Sequence, residues 1–166
     1  MTRHFLRQNG FTLLEVLFSL FLLSATMVGV ASLFLQIIGF FPASKKQLVA
    51  SYLAQEGVEI VRNMRDTNII KKASWNDGLI SCAAGCEADY NDTSLSLVSG
   101  QLQFLKINNN FYEYASVGII TPFQRKTTID TSTTDKLKVT VQVLWQEKNR
   151  SHSLTVREDL YKRENW

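Results

Sequence analysis

The sequence predicts an α+β protein in which a long N-terminal helix packs by its second half on an antiparallel sheet. Three stretches predict this fold: an apolar run over residues 11–41, a helix-periodic segment over residues 42–65, and alternating segments late in residues 66–166. A helix with one apolar face has to bury it, and a sheet of about four strands offers the surface. The chain of 166 residues has room for one modest globular domain.

The apolar run is a candidate membrane segment. From Phe11 to Phe41 the only charged residue is Glu15, and the run exceeds the roughly 20 residues that cross a bilayer core. An ordinary secretory signal has an apolar stretch of about 7–15 residues closed by a small-residue cleavage site, which this run does not match. A plain signal anchor stays open as an alternative, but neither reading explains Glu15.

Glu15 is a carboxylate inside this apolar helix, where insertion costs about 2.5–3.5 kcal/mol and usually marks a function. The simpler alternative places it near the interface, where it favours the positive end of the helix dipole. Cleavage after Gly10 would create an ammonium group on Phe11, four residues before Glu15 and on the same helix face. Since opposite charges attract strongly at low dielectric, the cut would couple maturation to assembly.

The segment Gly10-Phe11-Thr12-Leu13-Leu14-Glu15-Val16, with a short basic leader before it and the apolar run after it, resembles the prepilin signal. This signal belongs to type IV pilins and type II secretion pseudopilins. The resemblance implies a leader peptide of residues 1–10, cleavage between Gly10 and Phe11, and N-methylation of Phe11. It also implies that Glu15 docks against the Phe11 amine of an adjacent subunit.

The same resemblance implies the partners and the location of the chain. The partners are a prepilin peptidase and methylase, other pilin or pseudopilin subunits, an inner-membrane assembly platform, and the membrane itself before assembly. The precursor is expected in the cytoplasmic membrane with its leader in the cytoplasm. The globular domain is expected outside the cytoplasm, in a pilus or a periplasmic pseudopilus.

The middle of the apolar run distinguishes subtypes of this family. Many major pilins carry a proline there, whereas this chain has Ser32 between Gly29 and Gly39, and its first proline is Pro42. The departure favours a minor pilin. Two alternatives stay open: a type II secretion pseudopilin, or a membrane-anchored binding domain that retains its leader and never polymerises.

The second half of the helix has one apolar face and a strip of small residues that would let a sheet approach closely. The apolar positions are Val49, Leu53, Ile60 and Met64, and the small ones are Ala50, Ala54 and Gly57. Nearby basic residues are interpreted as a solvated face: Arg62, Arg65, Lys71 and Lys72.

Residues 66–100 read as a loop, and by the resemblance they are the variable region that faces partners. Cys82 and Cys86 lie in it and are a possible disulfide if the domain lies outside the cytoplasm. A ring this short would contribute only about 2 kcal/mol in the chain-entropy model. Two free thiols are the alternative.

Strand signals begin near Gln101. Residues 102–107 and 111–114 predict a hairpin turned by asparagines, and further strands are expected at 123–129, 137–145 and 153–161. Leu137, Val139, Val141 and Val143 share one face of their strand. The aromatic residues of these strands are expected in the core and in cross-strand pairs: Phe104, Phe111, Tyr112, Tyr114 and Trp145.

Charge and motifs argue against catalysis and nucleic-acid binding. The net charge of +3 falls to +1 once the leader, with Arg3 and Arg7, is removed, which gives no basic footprint. There is no phosphate loop, nucleophile elbow or metal-ligand cluster. His152 is expected to be exposed beside a turn. We therefore predict a protein that is not an enzyme and that uses no cofactor or metal.

Overall fold

The computed structural model describes residues 10–114 and 116–162, without the side chains of residues 39–41 and 132. The chain divides into two compact units, the first ending at Pro42 and the second beginning at Ala43. Most of the predicted leader, including Arg3 and Arg7, lies outside the described residues.

One helix, α1, runs from Leu13 to Ile70 with Pro42 inside it. It ends later than the sequence pattern predicts, and its last turn closes in a Schellman arrangement. The Lys72 amide donates to the Ile69 carbonyl and the Ala73 amide to the Asn68 carbonyl, each at 3.0 Å. Lys72 has a φ of 55°, so a lysine occupies the left-handed position that glycine usually takes at a helix end. The sequence therefore lacks the glycine that would predict this boundary.

In the part of the chain that the structure describes, seven antiparallel strands form a single sheet, so the predicted α+β class is confirmed. Its strands are β1 (Cys86–Glu87), β2 (Ser96–Leu97), β3 (Phe104–Asn108), β4 (Phe111–Glu113), β5 (Ile119–Thr133), β6 (Lys136–Glu147) and β7 (Arg150–Tyr161). The count exceeds the expected four because β1 and β2, each two residues long, lie in the segment that was expected to be a loop. β4 is the second strand of the predicted hairpin. β5 is central: it pairs along one edge with β1 and β3 and along the other with β6, which also pairs with β7.

Two tight turns fix the register of the hairpins. Asn109 and Asn110 join β3 to β4 with φ of 48° and 67°, and Lys148 and Asn149 join β6 to β7 with φ of 46° and 61°. Positive φ at both central residues is the geometry of type I′ turns, whose twist matches that of the strands. The predicted asparagine turn is confirmed, and the β6–β7 turn has the same geometry.

The core lies between the second half of α1 and the inner face of the sheet. The inward residues of β6 are buried as predicted: Leu137, Val139, Val141 and Val143. The small-residue strip of the helix is also confirmed, since Ala50 and Ala54 are fully buried. A Cβ atom added to Gly57 would lie 2.8 Å from Val141 Cγ1 and 3.1 Å from Arg125 Cδ. The sheet therefore approaches the helix backbone too closely for any side chain at this position.

Gly57→Val is expected to destabilise the globular unit by about 1–3 kcal/mol, because its side chain would overlap a β-branched residue that cannot rotate away. Urea unfolding of the full chain in detergent measures the change. Gln55→Ala, on the exposed face of the same helix, should leave the midpoint nearly unchanged. A Gly57→Val variant as stable as the wild type would contradict the close approach.

Three side chains depart from their predicted environments. Arg65 is buried rather than solvated, and its Nε donates to Asp66 Oδ1 at 2.8 Å. Phe104 and Phe111 are half exposed rather than in the core. The register of β3 shifts between Phe104 and Lys106, and Leu105 is the side chain that turns inward. Phe111 instead stacks on Tyr90, with ring centroids 4.6 Å apart.

Candidate processing and assembly site

The predicted cleavage junction lies just ahead of the helix. Gly10, Phe11 and Thr12 are non-helical and exposed. A Cβ atom on Gly10 would have no neighbour within 4 Å. An enzyme could therefore reach the Gly10–Phe11 bond without first unwinding α1.

Thr12 caps the helix, and Glu15 lies three residues after it. The Glu15 amide lies 3.1 Å from the Thr12 carbonyl and 3.3 Å from Thr12 Oγ1, and the Val16 amide donates to the same carbonyl at 3.2 Å. A threonine cap with a glutamate three residues on has the sequence of a capping box, and here the Thr12 hydroxyl accepts from the Glu15 amide. The cap fixes Glu15 in the first turn, where the helix dipole favours a carboxylate.

Phe11 and Glu15 line the same shallow groove on one side of the helix, together with Val16, Ser19, Leu20 and Leu23. Phe11 is 82% exposed, and Glu15 is exposed as well. Among the residues that the structure describes, no basic side chain forms an ion pair with Glu15. The two predicted assembly residues are thus brought together, with the carboxylate accessible to another molecule.

Four hydroxyl groups in the apolar half of α1 are satisfied within the helix. The hydroxyls of Ser19, Ser24, Thr26 and Ser32 each donate to a carbonyl three or four residues earlier, at 2.8–2.9 Å. In hydrocarbon every polar group needs such an internal partner. Of the described residues, α1 is the one helix long and apolar enough to cross a membrane, with a mean hydropathy of 2.2 in its most apolar window and none of that window buried.

A buried polar cluster around Arg125 ties the helix to the sheet, and the sequence patterns did not reveal it. Arg125 is 1% exposed. Its Nη1 donates to the Leu53 carbonyl at 3.2 Å and lies 3.4 Å from Glu56 Oε1. Its Nη2 donates to the Ala88 carbonyl at 2.7 Å. One side chain on β5 thereby holds α1 and the segment after β1.

Tyr114 and Asp89 complete this cluster. The Tyr114 hydroxyl donates to the Arg125 carbonyl at 3.0 Å, and the Tyr114 amide donates to both carboxylate oxygens of Asp89 at 2.9 and 3.1 Å. Burial raises the pKa of the Tyr114 hydroxyl. Burial also raises the pKa of Asp89, although the Tyr114 amide and the Arg125 charge oppose that shift. The cluster fixes the loop that precedes β5.

A disulfide joins Cys82 to Cys86 in the structure, with their Cα atoms 5.5 Å apart. Both side chains are fully buried. The Cys82 carbonyl accepts from the Ile129 amide at 3.1 Å, and Cys86 is paired with Thr127 of β5 and Leu97 of β2. The ring therefore fastens the loop between α1 and β3 to the central strand. Within residues 10–114 and 116–162, no group of three or more His, Cys, Asp or Glu side chains is placed to hold a metal ion.

An exposed apolar helix behind an accessible junction fits a membrane-anchored precursor. Residues 6–31 match the family model described as the prokaryotic N-terminal methylation motif. The chain therefore carries the type IV pilin signal, as its resemblance implied. The motif supports a type IV pilin-like or pseudopilin subunit, points to a structural role, and implies processing by a prepilin peptidase and assembly with other pilins. Comparisons with curated proteins and with solved structures found no match for the chain.

Proposed function

We propose that this chain is a minor pilin, a structural subunit of a type IV pilus-like filament. It is made with a leader of residues 1–10, cut between Gly10 and Phe11, methylated at the new Phe11 amine and assembled through its N-terminal helix. The observation that carries the proposal is the exposed carboxylate of Glu15, which lines one groove with Phe11.

The proposed mechanism follows from the charges that cleavage creates. Before cleavage Phe11 has a neutral peptide nitrogen, and Glu15 lies in an apolar helix without a cation. After cleavage the Phe11 nitrogen is an ammonium or methylammonium. The methyl group keeps that charge, so the amine can pair with a carboxylate either way. Pairing Glu15 with the Phe11 amine of a neighbour would remove two unpaired charges from the filament core in one contact.

The globular unit supports a location outside the cytoplasm. The Cys82–Cys86 ring is the kind of link that persists in an oxidising compartment and is rare in the cytosol. The absence of a proline between Phe11 and Phe41 supports a minor rather than a major pilin. In this proposal the remaining partners are the peptidase and methylase, the inner-membrane assembly platform and other pilin subunits.

The N-terminus of the native protein tests this proposal. Mass spectrometry of the chain purified from membranes and from sheared surface fibres is expected to show a start at N-methylated Phe11 in both. An intact Met1 would contradict the proposal and identify a non-polymerising anchor. A start beyond residue 25 would point to signal peptidase. A methylated chain that is found in periplasmic material and never in sheared fibres would identify a pseudopilin.

A further inference from the structure

Three large apolar side chains are exposed together just before and at the start of β5. Val117, Ile119 and Ile120 are 72%, 74% and 69% exposed, and with Gly118 they form what we call the apolar tip. Gly118 has a φ of 140°, a backbone conformation that favours glycine. A soluble surface seldom clusters such residues without an interaction partner.

The apolar tip lies at one defined end of the sheet. Ile119 is paired with Ile107 and Ile120 with Lys106 of β3, and the turn between β3 and β4 follows directly. On the other edge of β5, Phe123 is paired with Trp145. Residues before Phe123 therefore lie at the same end as the β6–β7 turn that follows Trp145. This end of the sheet carries two turns and the tip.

The helix enters the globular unit at this same end. Lys46 Nζ lies 3.7 Å from Glu147 Oε1, next to the β6–β7 turn. Lys46 lies five positions after Phe41, the last residue of the apolar run, so even a fully extended chain separates their Cα atoms by at most about 18 Å. If the apolar run crosses a bilayer, covalent geometry keeps this end of the sheet close to the membrane surface.

The charge around the tip is basic. Its end of the sheet holds five cations and two carboxylates: Lys45, Lys46, Lys106, Lys148 and Arg150 against Glu113 and Glu147. The Lys106 ammonium donates to the Ser116 carbonyl at 3.2 Å, which places a cation at the tip itself. The opposite end, around the β5–β6 turn, is balanced: Asp130, Asp135 and Asp159 against Lys136, Lys138 and Lys162.

We propose that the apolar tip docks on the surface of an anionic phospholipid bilayer while the chain is still a membrane-anchored precursor. This inference rests on the membrane anchoring in the proposed function. Val117, Ile119 and Ile120 enter the boundary between headgroups and acyl chains, where apolar side chains are buried beside charged groups. The surrounding cations attract the lipid phosphates, and each basic residue near the surface favours the docked state by about fivefold.

Docking gives the globular unit a second hold on the membrane, independent of the apolar helix. A subunit that leaves the bilayer for a filament has to release both. The tip is small enough for this to be reversible, because three exposed side chains contribute far less than a membrane-spanning helix. The contact would hold the sheet in one orientation at the membrane without blocking extraction.

Quenching by brominated lipids tests the docking directly. The full chain carrying Ile119→Trp is reconstituted into vesicles of phosphatidylglycerol and dibrominated phosphatidylcholine. The matched control is Thr134→Trp, an exposed position in the turn at the opposite end of the sheet. The three native tryptophans, of which Trp75 and Trp145 are buried, are common to both variants and give them the same background. We expect quenching of the tryptophan at position 119 well above that at position 134.

The contribution of the basic residues to docking is measured separately. Adding Lys148→Glu and Arg150→Glu to the Ile119→Trp chain should reduce the docked-to-undocked ratio by more than about tenfold. The excess quenching should then fall to the level of the control. Replacing phosphatidylglycerol with unbrominated phosphatidylcholine should have the same effect.

Equal quenching at positions 119 and 134 in a chain that floats with the vesicles would overturn the docking proposal and leave the anchoring intact. A contact with a neighbouring subunit would show that pattern, with quenching absent and Ile119→Asp reducing filament incorporation. A chain that does not float with vesicles at all would overturn the anchoring in the proposed function. The two failures are therefore distinguishable.

Discussion

Replacing Glu15 with alanine is expected to leave cleavage and N-methylation intact while incorporation into filaments falls to background. The junction at Gly10 and Phe11 is exposed and precedes the helix, so we expect the peptidase not to need the carboxylate. In the proposed mechanism assembly needs it, because an ammonium buried in a filament core without a counter-charge would cost several kcal/mol. That cost corresponds to a fall of at least about a hundredfold in the equilibrium for incorporation.

Two comparisons separate the charge from other effects of this substitution. Glu15→Gln keeps the size of the side chain and a hydrogen-bonding amide but removes the charge, so it should fail as alanine does. Ser19→Ala changes the same groove and removes a hydroxyl that bonds only to the Glu15 carbonyl, so it should assemble normally. Immunoblots of sheared fibres and mass spectrometry of the N-terminus measure both steps. Normal incorporation of Glu15→Gln would refute the ion pair.

The elements that sequence predicted well are those in which local pattern and tertiary environment agree. The alternation in β6 predicted its buried face, since period-two alternation and burial on one side of a sheet are the same constraint. The asparagines at 109 and 110 predicted their turn because this residue type tolerates positive φ. The strip ending at Gly57 predicted a close approach of the sheet, and Val141 makes that approach.

The pattern failed where a tertiary contact replaces a local signal. A lysine at position 72 ends α1 with positive φ, although glycine is the usual residue there, so composition could not mark the boundary. Phe104 looked like a core residue, but the register shift in β3 turns its neighbour Leu105 inward. Strands β1 and β2 are too short to alternate. They are held by pairing with each other and, for β1, by pairing with Thr127 of β5.

The candidate site divides in the same way. Gly10, Phe11 and Glu15 could be identified from one segment because their chemistry depends on spacing along the chain. Arg125 could not, although alternation with Phe123 and Ile129 places it on the inward face of β5. Two of its partners are the backbone carbonyls of Leu53 and Ala88, and a carbonyl has no signature in the sequence.

Arg125→Met is expected to destabilise the globular unit by about 2–4 kcal/mol. Methionine keeps much of the apolar stem but leaves the buried Ala88 carbonyl without its donor, at a cost of about 1–3 kcal/mol. It also removes the charge that Glu56 faces. Arg125→Lys should lose less stability than Arg125→Met, because it keeps the positive charge. It should still be less stable than the wild type, because one ammonium group cannot reach both α1 and the segment after β1 as the forked guanidinium does.

Urea midpoints of the full chain in detergent measure these losses. The matched control is Arg157→Met, exposed on β7, whose loss of stability should be near zero.

The loss of stability in Arg125→Met should also depend on pH. The Arg125 charge lowers the pKa of Asp89 against the effect of burial, so Arg125→Met raises that pKa further. Because a raised carboxyl pKa favours the folded state only at low pH, stability is lost as pH rises through it. The gap between wild type and Arg125→Met should therefore be smallest below about pH 4, the pKa of an unfolded aspartate, and widen toward pH 7. A gap that stays constant over that range would mean that Arg125 acts through packing alone and not as the cation of the buried cluster.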